Sequence, residues 1–79
     1  MAFQINVQND GQEGTVVVTE RVNLNERLVV LDGFMDAGEV LAVDCRGNAD
    51  KEFTWLHKAT NMSGGPETLG HGDTLRVNS

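Results

Sequence analysis

One cysteine, one proline and no tyrosine occur among the 79 residues. A single thiol, Cys45, excludes an intrachain disulfide and fits a reducing compartment or a domain that needs no covalent staple. It also argues against a metal centre. Cys45, His57 and His71 are the only thiol and imidazole groups, and they form no Cys-x-x-Cys or His-x-x-x-His spacing. Long apolar runs are missing as well. The longest, residues 28–31 and 40–43, fall far short of a membrane span. The start, Met-Ala-Phe-Gln-Ile-Asn, lacks the basic and apolar regions of a signal peptide. The expectation is a cytoplasmic protein, or one exported without a leader. Met1 and the polar end Val77-Asn78-Ser79 read as the ends of a complete small chain.

Basic residues are scarce: six against twelve acids, a net charge of −6. Residues 1–45 hold eight of the acids and only Arg21 and Arg27. Residues 46–79 hold four acids and four bases, so the acidity belongs to the first half. Phosphate recognition needs clustered Lys and Arg, which disfavours nucleic acid and anionic membrane as partners. The chain is one domain. At this size about 60% of the unfolded surface is buried, so the core is thin.

Against this background the stretch Lys51-Glu52-Phe53-Thr54-Trp55-Leu56-His57-Lys58-Ala59 stands out. It alternates, with Phe53, Trp55 and His57 on one side of an extended strand and Thr54, Leu56 and Lys58 on the other. The only tryptophan makes this strand the centre of the predicted core. Phe3, Ile5 and Val7 alternate with Gln4, Asn6 and Gln8 in a first half-buried strand. Asp10-Gly11 is a hairpin signal toward the β-branched strand 15–22. There Glu20 shares a face with Val16, Val18 and Val22, a conflict that a bulge or an edge position resolves.

Arg27-Leu28-Val29-Val30-Leu31 is apolar on both faces, which places it between two layers or at a subunit contact. Asp32-Gly33 reads as its stop, Phe34-Met35-Asp36-Ala37-Gly38 as a loop, and residues 46–50 as a turn. Strands over 39–45 and 73–78 point Leu41, Val43, Cys45, Leu75 and Val77 inward. Both open on Gly-acid-x-Leu-x-Val, at Gly38 and Gly72: two loop-to-strand junctions of one physical type. Residues 60–72 hold four glycines and Pro66 and read as a long loop. The pattern predicts an all-β fold: an antiparallel β-sandwich or partly open barrel of about six strands, without substantial helix. The Cys45…Trp55 spacing resembles immunoglobulin-like domains, where a strand-B cysteine precedes a strand-C tryptophan. The second cysteine and the corner tyrosine of that family are missing.

No motif is specific to a chemistry. Cys45 lies on the apolar parity of its strand and reads as core. His57 is either a buried, hydrogen-bonded latch or an exposed ring at a strand end. His71 and Asp73 are an imidazole and a carboxylate two residues apart, with no third catalytic group beside them. Ser63-Gly64-Gly65-Pro66 offers backbone N–H groups to an anion but lacks the rest of a P-loop. Asp32, Asp36 and Glu39 do not have EF-hand spacing. Phe34 and Met35 are candidates for an apolar protein contact.

The expected function is a non-enzymatic binding module without cofactor or metal. It acts through the 60–72 loop (Asn61, Met62, Ser63, Gly64, Gly65, then His71 and Asp73), through Phe34 and Met35, and through an acidic surface. The partner is a protein, a carbohydrate or another small molecule. The chain is expected to be a monomer or a weak homodimer. The alternatives are a self-assembling β subunit, a carbohydrate-binding domain using Trp55, and a small hydrolase using His71 and Asp73.

Overall fold

The computed structural model describes residues 3–46 and 51–78. Among them there is no helix, and seven strands form two facing sheets. The strands are β1 (Phe3–Asn9), β2 (Gly14–Asn23), β3 (Glu26–Met35), β4 (Val40–Cys45), β5 (Lys51–His57), β6 (Met62–Leu69) and β7 (Thr74–Val77). One sheet runs β4-β1-β7 and the other β3-β2-β5-β6. Every pairing is antiparallel except β1 with β7. The fold is a small open β-sandwich.

Period-two alternation places the core where the sequence puts it. Ile5 and Val7 of β1, Val16 and Val18 of β2, Phe53 of β5, and Leu75 and Val77 of β7 are fully buried between the sheets. Burying each such side chain contributes about 1.5–3 kcal/mol. Trp55 and Val43 are also buried, while Leu41 and Cys45 pack half-buried against the same core.

Four local expectations are corrected. Asp10-Gly11 does not turn a hairpin: β1 and β2 lie in different sheets, so residues 10–13 arch across the sandwich. Asp32-Gly33 does not stop β3. The long partner β2 carries the ladder on through Asp32↔Val17, Gly33↔Val16, Phe34↔Thr15 and Met35↔Gly14, which outweighs the weak strand propensity of the pair. Residues 60–72 are not a loop, because Met62–Leu69 is β6. At a sheet edge the missing N–H of Pro66 costs no ladder bond, and a register shift opposite Phe53 and Trp55 absorbs Gly65-Pro66. The 28–31 stretch is not sandwiched between layers: β3 is an edge strand with Val29 55% exposed.

The Glu20 conflict resolves differently from either expectation. A bulge does lie between Val18 and Thr19, yet Glu20 stays inward and fully buried. Its Oε1 accepts the Arg46 N–H at 2.8 Å. The immunoglobulin order is not found. In that fold the first strand is at an edge, whereas here β1 is central and Cys45 sits on the edge strand β4. The turn expected over 46–50 lies, beyond Arg46, outside the described residues.

The two Gly-acid-x-Leu-x-Val segments make the same turn twice. Gly38 and Gly72 have φ of 81° and 86°, which a side chain resists. Each glycine N–H donates 2.8 Å to a β1 carbonyl, Gly38 to Asn9 and Gly72 to Gln4. Each acid caps its own turn: Glu39 Oε1 accepts from Asp36 N–H and Asp73 Oδ2 from Gly70 N–H, both at 2.8 Å. One device therefore seats β4 and β7 against opposite ends and sides of β1.

The arch is held by side chains from both sheets. Asn9 is fully buried, and its Nδ2 donates to the carbonyls of Gln12 (2.8 Å), Asp36 (3.2 Å) and Met35 (3.3 Å). Its Oδ1 accepts from Gly11 N–H at 3.1 Å. From the other sheet, His57 Nε2 donates to the same Gln12 carbonyl at 2.7 Å. Each buried carbonyl stripped of its donor costs about 1–3 kcal/mol. Asn9→Ala is therefore expected to destabilise the fold by about 2–4 kcal/mol, read as a lower urea midpoint with an unchanged slope.

Candidate functional site

The two outer faces of the sandwich differ. On the three-stranded sheet Gln4, Asn6 and Gln8 of β1 face out beside Asp44, Thr74 and Arg76, with Val40 and Ala42 at the β4 edge. The polar groups there bond one another. Gln4 Nε2 donates to Asp44 at 2.6 Å, Gln8 Nε2 donates to Asp10 at 2.6 Å, and Arg76 pairs with Asp10 at 3.2 Å.

On the four-stranded sheet the outward positions are Thr15, Val17, Thr19 and Arg21 of β2, and Glu52, Thr54 and Leu56 of β5. Directly opposite residues of a ladder share a face, so the pairing continues this surface onto β3 and β6. One row reads Asp32–Val17–Leu56–Ser63 and the next Val29–Thr19–Thr54, with Gly65 and Pro66 beyond. Arg27–Arg21–Glu52–Thr68 closes one end, and Phe34, Thr15 and Lys58 the other. Val29 and Phe34 are 55% and 59% exposed. A shallow groove of about 520 Å³ runs over Val17, Thr19 and Leu56 to Ser63 and Gly65. A smaller one, about 190 Å³, lies between Arg21, Arg27, Glu52 and Pro66.

The charge of this face also departs from that of the chain. It carries Arg21, Arg27 and Lys58 against Asp32 and Glu52, so the acidic surplus lies elsewhere. Arg21 bridges to Glu52 at 3.2 Å. Arg27, Asp32 and Lys58 have no side-chain partner among the described residues.

The nominated residues separate into five places. Phe34, Ser63 and Gly65 belong to the outer face. Met35 is fully buried in the core and presents nothing outward. Gly64 is a seat for the tryptophan: a Cβ there would lie 2.5 Å from the Trp55 ring. Buried in this way, the indole is not a platform for a sugar. Asn61, at φ 57°, and the exposed Met62 lie at the turn into β6.

His71 and Asp73 do not form a dyad. His71 Nδ1 accepts from Gln4 N–H at 3.0 Å and its ring stands tilted against Phe3, with centroids 6.1 Å apart. Asp73 is committed to the Gly70 turn. His57 is fully buried, not exposed, with Nε2 on Gln12 and Nδ1 3.2 Å from Thr60 Oγ1. Cys45 is half-buried, and burial first, then the neighbouring Glu20 carboxylate, pushes its thiol up to about 11. Asp32, Asp36 and Glu39 do not converge, and among the described residues no three His, Cys, Asp or Glu side chains do.

Sequence reading missed the outer face as a unit. Its signal was present in Val17, Val29 and Leu56, apolar residues at outward parity. Only strand order brings them side by side. No family model matches the chain, and no curated protein or solved structure matches it.

Three outcomes are expected from these placements. Gly64→Ala forces the indole to move, lowering stability by about 1–3 kcal/mol and shifting Trp55 emission to the red. The sign for Cys45 follows from its raised pKa: the folded protein holds the thiol proton where the unfolded chain has lost it, so stability falls as pH climbs from 9 toward 11. At pH 8, iodoacetamide is expected to label native Cys45 at least about tenfold more slowly than the urea-unfolded chain.

Proposed function

We propose that this protein is a non-enzymatic binding module whose contact surface is the outer face of the four-stranded sheet, from Phe34 on β3 to Pro66 on β6. The observation that carries this reading is the contrast between the two outer faces. One bonds its own polar groups to each other. The other aligns Val17, Val29, Phe34 and Leu56 outward with threonines between them, and leaves charged side chains unpartnered at its margins. Apolar side chains gathered on one exposed face mark interaction sites. Threonine and arginine around them supply the polar margin that protein interfaces carry.

The surface fits a protein better than a small molecule. The larger groove is open along the strands and the smaller holds only about 190 Å³, whereas small-ligand sites are concave and enclose most of their ligand. The 60–72 segment contributes through Ser63, Gly65 and Pro66 on this face, not as a free loop. The turn holding His71 and Asp73 serves to seat β7.

A paired comparison tests the reading. Val29→Ser with Phe34→Ser changes two exposed side chains, and stability is expected to hold within about 0.5 kcal/mol. The double variant is expected to lose binding to the immobilised wild-type protein's partners, while Asn61→Gly with His71→Ala retains it. The reverse result assigns binding to the ends of the 60–72 segment and overturns the sheet-face reading.

A further inference from the structure

Resting on the sheet-face reading, we infer that the partner of this face is a second copy of the chain, packed face to face about a two-fold axis that crosses the strands near Val17 and Thr19. The four-stranded sheet closes off both of its own edges to strand pairing. The β3 edge is interrupted by the bulge at Val30, opposite Val18 and Thr19. The β6 edge is interrupted by Gly65-Pro66 and its own register shift. Bulges and proline on edge strands block edge-to-edge pairing. In the other sheet β7 has only four residues, and the outer face is hydrogen-bonded within itself.

The four-stranded face is self-complementary under that axis. Rotation lays β3 over the partner's β3 in the opposite direction and β5 over the partner's β5. Arg27, at one end of the face, then comes over the partner's Phe34 and within a side-chain length of the partner's Asp32. Lys58 comes over the partner's Glu52. Each contact occurs twice, as a two-fold requires. Arg27, Asp32 and Lys58 are the charges on this face that the monomer leaves without a partner. Between them Val17 comes over the partner's Thr19, Leu56 over the partner's Thr54 and Val29 over the partner's Asp32, as two sheet faces meet in a sandwich.

The molecule measures 30 × 24 × 17 Å, so its broad face covers at most about 700 Å² per copy and about 1,400 Å² in a dimer, within the range of specific protein complexes. With few charges and a net charge near neutral on the face, two copies of a chain of −6 approach without facing their acidic surfaces to each other.

The test is sedimentation velocity on wild type, Arg27→Asp, Asp32→Arg and an equimolar mixture of the two variants. Wild type is expected to pass from monomer to twice the monomer mass with rising concentration. Each single variant, carrying like charges at both contact points, is expected to shift that transition at least about tenfold upward. The mixture is expected to dimerise again, because the all-acidic face meets the all-basic one. A wild type that stays monomeric at millimolar concentration overturns the inference, as does a mixture no tighter than its components. If wild type is monomeric but Val29→Ser with Phe34→Ser still abolishes capture of a different protein, the homodimer fails and the sheet-face reading survives. If the face variants change neither, both fail.

Discussion

The carbonyl of Gln12 accepts from the Asn9 carboxamide at 2.8 Å and from the His57 ring at 2.7 Å. Asn9 ends β1 in one sheet and His57 ends β5 in the other, so one backbone oxygen fixes the distance between the layers at that end. An interior this thin cannot hold two sheets in register by apolar contact alone with much margin. Hydrophobic contact is non-directional, whereas a fully satisfied buried network specifies one arrangement. No buried side-chain polar atom among the described residues is without a partner. Asn9 also reaches the carbonyls of Met35 and Asp36, so the end of β3 and the turn into β4 depend on the same side chain. The outer face of the four-stranded sheet inherits its geometry from this junction, because Phe34 immediately precedes Met35.

Acidic residues have a structural use that net charge conceals. Glu39 and Asp73 close equivalent turns, Glu20 caps the Arg46 N–H inside the sandwich, and Asp10 and Asp44 bond outward glutamines. Charge-assisted hydrogen bonds of this type are stronger than neutral ones and hold turns that lack covalent support. Glu39, Asp73, Asp10 and Asp44 thereby lie at strand ends or on the three-stranded sheet. The consequence for function is indirect: the four-stranded face is left nearly neutral, with Val17, Val29, Phe34 and Leu56 set among its threonines, in a chain that is otherwise strongly acidic.

Side-chain parity was legible in the sequence because it is a local property. Phe3, Ile5 and Val7, Phe53, Trp55 and His57, and Leu75 and Val77 all face inward as their alternation predicts. The sandwich class followed from the same pattern. What failed was whatever depends on a distant partner. Asp10-Gly11 has hairpin composition, but Asn9 and His57 draw its neighbour Gln12 into an arch. Asp32-Gly33 has the composition of a stop, but ten residues of β2 carry the ladder past it. The glycines and proline of 60–72 have loop composition because three separate demands coincide there: Trp55 needs space at Gly64, the register shift needs Gly65, and an edge position tolerates Pro66. Of the candidate site, Phe34, Ser63 and Gly65 were visible singly. That they lie on one surface with Val17, Val29 and Leu56 depends on the order β3-β2-β5-β6, which no local pattern encodes.

The same edge features bear on how such a small sandwich avoids uncontrolled assembly. A four-stranded sheet has two open edges, and each offers unpaired N–H and C=O groups to any passing strand. Here the bulge at Val30 and the Gly65-Pro66 interruption break both ladders near their middles. Edge pairing would propagate, since an added strand presents a new edge. Face packing about a two-fold consumes its own surface and stops at two copies. In the proposed dimer, the four-stranded sheet's association would therefore close at two copies. In that dimer the unpartnered Arg27, Asp32 and Lys58 around the face would set the direction of approach.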